Sequence, residues 1–171
     1  IGVINVVCQM LGIEIINEVV WYKRNAFPNL AGRRLTASHE TILWCNKGEK
    51  KREYYFDYEY SKTGDFSYDC LKTPNKQMRT VWDISNNKEK SELAYGKHPT
   101  QKPIRILKRI IKLSSKNGDL VFTPFSGAGS ECVAAKMTGR KYIGIEMDKS
   151  YCELARARLE HTVENEDDYG Q

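Results

Sequence analysis

Two short stretches of the chain have side chains and spacing suited to holding a small charged ligand. Thr123-Pro124-Phe125-Ser126-Gly127-Ala128-Gly129 follows an apolar run, and Ile143-Gly144-Ile145-Glu146-Met147-Asp148 comes shortly after it. Gly127 and Gly129 let a strand turn sharply into a helix and let the backbone approach a ligand, with the first amides of the helix facing it. Glu146, about twenty residues downstream at the end of a second strand, offers a carboxylate that can accept both hydroxyls of a ribose. The chemistry is that of an adenosine-type cofactor site. A tight turn beside a solvated glutamate is the alternative.

A dinucleotide site also calls for a small residue three positions after the second glycine, and Cys132 occupies that position. The Phe125-x-Gly127-x-Gly129 form looks like the S-adenosylmethionine signature, not the nicotinamide one. Upstream, His98-Pro99-Thr100-Gln101-Lys102-Pro103 is an extended, proline-stiffened segment entering a helix. Thr100, Gln101 and Lys102 are its polar groups, and Lys102 with Thr100 suits the carboxylate of a methionine-type zwitterion. In isolation such a block is only a polar turn.

These residues need a frame, and the apolar pattern supplies one. Residues 1–12 have a helical rhythm that stops at Gly12, residues 13–22 are strand-like, and residues 40–45 form a second strand after a polar loop. Residues 46–96 are irregular, with a tyrosine run (Tyr54, Tyr55, Tyr58, Tyr60) that reads either as half-buried strand aromatics or as a wedge for a displaced base. From Pro103, Arg105, Lys108, Arg109, Lys112 and Lys116 mark a polar helix face opposite Ile104, Leu107, Ile110 and Ile111. A strand at 119–122, a helix at 129–138 closed by Gly139, a strand at 142–146 and a helix from Asp148 follow; Ser150 and Glu153 offer a capping box. This order predicts a βαβα unit with parallel strands.

The length of 171 residues suits one ordinary domain, and no apolar run is long enough to span a bilayer. The formal net charge is +5, but five of the 22 acids lie in residues 160–171, leaving 17 against 27 basic residues before them. That body attracts polyanions, of which nucleic acid is the commonest; a basic solvated surface is the other reading. Cys8, Cys45, Cys70, Cys132 and Cys152 are scattered, without metal-ligand spacing, and read as reduced thiols of a cytoplasmic protein.

In this order the blocks resemble the prokaryotic DNA amino-methyltransferases of the β group. Trp21-Tyr22-Lys23-Arg24-Asn25 and His39-Glu40-Thr41-Ile42-Leu43-Trp44 also look like the segment that precedes the recognition region in those enzymes. The resemblance implies an α/β, Rossmann-like S-adenosylmethionine-dependent methyltransferase fold with a mixed, mostly parallel sheet, incomplete in this chain. It divides the chain into flanking strands (1–45), a target-recognition insertion (46–96), a cofactor-binding part (97–160) and an acidic tail (161–171). Cofactor residues would be Thr100, Gln101, Lys102, Phe125, Ser126, Gly127, Gly129, Ser130, Glu146, Met147 and Asp148. Double-stranded DNA would be contacted by Lys23, Arg24, Arg33, Arg34, His39, Lys47, Lys50, Lys51 and Arg52, with His39 and Glu40 near a flipped base. The implied reaction is methylation of an exocyclic amine, with adenine the expected target. Cytosine, or a non-catalytic DNA-binding remnant, are the alternatives. A companion restriction nuclease and a homodimer stay open.

The pattern departs from the family at two points. No Pro-Pro pair exists among the five prolines, so the catalytic Pro-Pro-Tyr loop is expected upstream of Ile1, and the chain alone is expected to be an inactive C-terminal fragment. Thr123 stands where relatives carry an aspartate before Pro-Phe. Glu131 either restores that charge for the methionine ammonium or is only an N-terminal helix acid.

Overall fold

The computed structural model describes residues 1–48, 53–63 and 75–164, which fall into two compact units, Ile1–Asn86 and Asn87 onward. The division lies inside the irregular 46–96 stretch. Lys50, Lys51, Arg52, Cys70 and the acidic residues 166–168 lie outside the described residues.

In the first unit, helix α1 (Gly2–Met10) ends on Gly12, whose φ of 69° lets the chain reverse into strand β1 (Glu14–Tyr22). Strand β2 (His39–Asn46) pairs antiparallel with β1, from Tyr22 opposite His39 to Glu14 opposite Asn46, with a bulge between Ile15 and Asn17. Strand β3 (Val81–Asp83) adds in parallel to the other edge, giving the order β2-β1-β3. Trp21, 2% exposed, anchors this sheet by donating its Nε1–H to the Ile84 carbonyl at 2.6 Å. The tyrosine run forms no strand. Residues 53–59 are irregular and lead into a short helix, α2 (Tyr60–Thr63). Their aromatics gather on Trp44, with Tyr54 at 5.8 Å and Phe56 at 5.4 Å between ring centroids. Edge and tilted contacts to an indole satisfy these rings without the alternation a strand requires.

The second unit carries the predicted β–α–β–α order. Helix α3 (Ile104–Ser114) is followed by β4 (Leu120–Thr123), α4 (Ser130–Met137), β5 (Lys141–Gly144) and α5 (Lys149–Glu160). β4 and β5 run parallel, from Leu120 opposite Lys141 to Thr123 opposite Gly144. Helix α4 packs on both strands, on α3 and on α5. Leu120, Phe122 and Ile143 are left exposed on the strands. Among the described residues the strands form two sheets, of three and two strands, instead of one continuous sheet.

Three local expectations need correction. Pro103 is the N-cap of α3, not a residue of its first turn, and the Ile104 N–H is capped by Glu92 Oε2 at 2.9 Å. Arg109 is buried, 7% exposed, while Ile110 is only half-buried. Ile106 and Leu113 join Ile104, Leu107 and Ile111 inside, so this helix is enclosed around more of its circumference than a single apolar stripe. Helix α5 is capped by Asp148, whose Oδ1 accepts from Ser150 N at 2.8 Å and Tyr151 N at 3.2 Å. Glu153 lies 3.9 Å from Lys149 instead of reaching back to Ser150.

Helix α4 approaches β5 closely at Gly144. A Cβ added at Gly144 would lie 2.8 Å from Cys132 Sγ and 3.1 Å from Ser126 Cβ. Burial drives the Cys132 thiol up to about 11, so it remains a neutral packing group. Gly144→Ala is expected to destabilise the protein by about 1–3 kcal/mol through overpacking. Combining it with Cys132→Ala should recover much of that loss, as read from denaturant midpoints in a double-mutant cycle.

Candidate functional site

The site begins where β4 ends. After Thr123, the chain turns through Gly127 at φ 50° and Gly129 at φ 69° before entering α4. Both values lie in the left-handed region, where a side chain is strained, and space is short as well. A Cβ at Gly127 would sit 3.2 Å from His98 Nε2, and one at Gly129 would sit 2.8 Å from Ala155 Cβ. The turn is therefore clasped by the 98–103 segment at one glycine and by α5 at the other.

Glu146 ties the two strand ends together. Its Oε2 accepts the Gly127 N–H at 2.8 Å, and its Oε1 accepts the Asp148 N–H at 2.9 Å. Those amides, Asp148 first and then Gly127, hold the carboxyl below the ordinary glutamate range. It is therefore charged at neutral pH, with lone pairs left on each oxygen for further donors. Ser126 is buried and reinforces the same junction, its N and Oγ both donating to the Ile145 carbonyl, at 2.9 and 3.2 Å. Phe125 and Met147, at 90% and 97% exposed, stand out from the two loops as bare apolar side chains.

The predicted cofactor residues thus all fall in the second unit but do not share one role. Thr100 is exposed; its N–H donates to His98 Nδ1 at 3.2 Å, and the other ring nitrogen, Nε2, lies on the Gly127 side. Gln101 is turned inward, 5% exposed, with Nε2 donating to the Glu92 carbonyl at 3.0 Å. Lys102 is half-buried. Ser130 is buried and its Oγ accepts from Arg158 Nη1 at 2.9 Å. Asp148 serves as the cap of α5, and its carboxyl is held low chiefly by the Ser150 hydroxyl and by the Tyr151 and Ser150 amides. Burial pushes the Glu131 carboxyl up, while its own backbone amide, and after it Arg158, Lys102 and His98, pull it back.

Two residues with no assigned role in the motifs belong to this constellation. His98 packs edge-on against Tyr151, ring centroids 4.3 Å apart, and so lines the turn. Its place directly before Pro99, at the head of the 98–103 block, was the only sequence signal. Arg158 reaches back from α5 to the turn, and a charged residue at helical spacing gave no sign of that.

Those predicted DNA contacts that are described, Lys23, Arg24, Arg33, Arg34, His39 and Lys47, lie in the first unit. Lys23 pairs with Glu40 at 3.1 Å and sits 5.7 Å over the Trp21 ring, and Arg24 pairs with Asp83. Arg33, Arg34, His39 and Lys47 are exposed.

A family model described as DNA methylase matches residues 1–157. The chain is 45% identical over 157 residues to the Type II methyltransferase M2.DpnII of Streptococcus pneumoniae, covering 91% of this chain and 54% of that protein. It is 47% identical over 148 residues to the Type II methyltransferase M2.LlaDCHI of Lactococcus lactis subsp. cremoris, covering 86% and 52%. Against M.HinfI of Haemophilus influenzae it is 39% identical over 169 residues, covering 96% and 45%. The chain thus spans about half the length of these curated relatives. Among solved structures, the M1.HpyAVI–SAM complex matches with a TM-score of 0.69 at 29% identity, covering 92% of this chain and 68% of that one. The cytosine-N4-specific PvuII DNA methyltransferase matches at 0.71 with 20% identity, covering 97% and 58%, a likeness of fold. The expected α/β methyltransferase fold is borne out.

Because Glu146 titrates below its ordinary value, its hold on the Gly127 turn is fully present above the usual glutamate pKa of about 4.3. That hold fades only as pH falls through the lowered value. Glu146→Gln should therefore speed amide exchange at Gly127 and Asp148 at neutral pH. The difference from wild type should shrink in acid below the ordinary carboxylate range.

Proposed function

The chain belongs to the DNA methylase family, and from that premise we propose that it forms the cofactor-binding and DNA-contacting portion of an enzyme that methylates an exocyclic amine in DNA. The observation that carries the proposal is the Glu146 carboxylate, charged and fixed between the Gly127 and Asp148 amides at the ends of two parallel strands. That arrangement fits a ribose diol on one side of a glycine turn. Phe125 and Met147 would cover the flat base of the same nucleoside. Lys102 and Thr100 would meet the carboxylate of its amino-acid end, and Glu131, half-buried among three cationic or polar partners, its ammonium. When bound, S-adenosylmethionine supplies an electrophilic methyl on a sulfonium.

The chain's own part is to orient that donor and to hold DNA. Arg33, Arg34 and Lys47, exposed on the loops flanking β2, are suited to phosphates. Lys23 and Arg24 already face Glu40 and Asp83, so a phosphate there would have to compete with a carboxylate. Transfer itself needs a group to align the amine lone pair with the methyl–sulfur bond, and the 171 residues contain no Pro-Pro-Tyr loop for that role. Adenine is the expected target, with cytosine the alternative.

Calorimetry on the protein expressed from its complete reading frame should show uptake of S-adenosylmethionine and none of a nicotinamide dinucleotide; the reverse result would sink the proposal. The 171 residues alone should transfer no labelled methyl to DNA. With the complete protein, nucleoside analysis of the product separates N6-methyladenine from N4-methylcytosine. Replacing Arg33 and Arg34 together by alanine should weaken DNA binding at every sequence. It should also flatten the slope of log affinity against log salt by about 1–2.

A further inference from the structure

Arg158 is 4% exposed, deep on the inner side of α5. Its Nη1 donates to the Ala128 carbonyl at 2.5 Å and to Ser130 Oγ at 2.9 Å, while its buried Nη2 has no partner among the described residues. Ala128 is the residue between Gly127 and Gly129, both in the left-handed region. The peptide unit that joins Ala128 to Gly129 is held on one side by the Gly129 N–H donating to the Ser126 carbonyl at 2.7 Å, and its other side, the Ala128 carbonyl, is the one Arg158 takes.

We infer that Arg158 is the positioning residue of the cofactor turn: its guanidinium fixes the Ala128 carbonyl toward α5 and so presents the turn's amides to the cofactor in one orientation. The inference rests on the cofactor reading above. A charge-assisted hydrogen bond is stronger than a neutral one and is directional, which packing alone is not. The rest of the interface supplies the lever. Ala155 stands one helical turn before Arg158 against Gly129, and Lys136 Nζ at the far end of α4 donates to the Leu159 carbonyl at 2.9 Å. Asp148 fixes the start of α5 two residues after Glu146. The turn is thereby held from both ends of its exit, by Glu146 at the Gly127 amide and by Arg158 at the Ala128 carbonyl.

If the purpose of Arg158 were stability alone, an apolar side chain of similar volume would serve as well or better, since a buried guanidinium carries a desolvation cost. The orphaned Nη2 adds to that cost without a matching bond. What methionine cannot do is select a carbonyl direction. A turn ordered before binding spares the ligand the entropy of ordering it.

The test uses the complete protein with Arg158→Met, Arg158→Lys and Ser130→Ala. Arg158→Met should melt within a few degrees of wild type. Its amide exchange should rise about tenfold at residues 127–130 alone, and S-adenosylmethionine binding should weaken about tenfold, with Arg158→Lys recovering part of both. Native exchange and uptake in Arg158→Met would overturn the inference. So would a rise in exchange spread evenly through α4 and α5 with a lower melting temperature, which is the mark of a structural role only. If Arg158→Met does not fold, Arg158→Lys and Ser130→Ala decide by the same four amides: selective loosening supports the inference and unchanged protection overturns it. Wild type that takes up no S-adenosylmethionine would remove the cofactor reading, while the exchange comparison would still judge the role of Arg158.

Discussion

One carboxylate, that of Glu146, closes the site. Parallel strands leave their ends unlinked, because the connection between them runs through a helix on the sheet face. Here the ends of β4 and β5 are joined across the gap by Glu146 accepting the Gly127 amide, and by Ser126 donating to the Ile145 carbonyl. The same carboxylate also takes the Asp148 amide and so sets where α5 begins. A neutral side chain could accept one of these bonds, but a carboxylate with two amides keeps its charge and keeps both oxygens available to a ligand.

The second layer follows from that junction. Once Asp148 caps α5, the register of the helix places Ala155 against Gly129 and Arg158 beneath the turn. No larger residue fits at 129, since its Cβ would meet Ala155 at 2.8 Å. Helix, turn and carboxylate constrain one another, so the geometry presented to a ligand is a property of the whole loop and not of any single side chain. The 98–103 segment adds the remaining wall through His98, wedged between Gly127 and Tyr151.

Much of this was legible in the residues. Gly127, Gly129 and Glu146 could be picked out because the roles they fill, positive φ and a charged acceptor at a strand end, are local and suit few residue types. The βαβα order was legible from apolar runs set off by Pro103 and Gly139. What was not legible depends on distant neighbours. Arg109 read as a solvated helix position, and Arg158 drew no reading at all, because nothing in a helical repeat reveals a second packing partner on the charged face. The tyrosines at 54–60 read as strand because their composition suits one, yet Trp44 gives them a cluster to join without it. β3 pairs with β1 across roughly sixty residues, and its three-residue span carries no periodicity to detect. The capping box failed for a nearer reason: Asp148, two residues before Ser150, already accepts the Ser150 amide that Glu153 would have reached back to.

The choice between cofactor classes turns on where the small residue sits. A dinucleotide turn asks for close helix–strand approach, and usually obtains it from a third glycine on the helix. In this chain the helix position is Cys132, and the approach is made from the other side, by Gly144 on β5 against the thiol. Helix α4 and β5 therefore pack as closely as the fold demands with a sulfur in place of a bare backbone. The spare glycine has moved to the strand, beside Ser126 and one step from the Ile145–Glu146 junction. A glycine pattern read along the helix alone would miss this exchange, whereas the requirement that two elements meet at van der Waals distance does not. The missing third glycine thus leaves the closeness of the fold intact, and what it changes is the shape of the turn's floor, where Cys132, Ser126 and Gly144 meet.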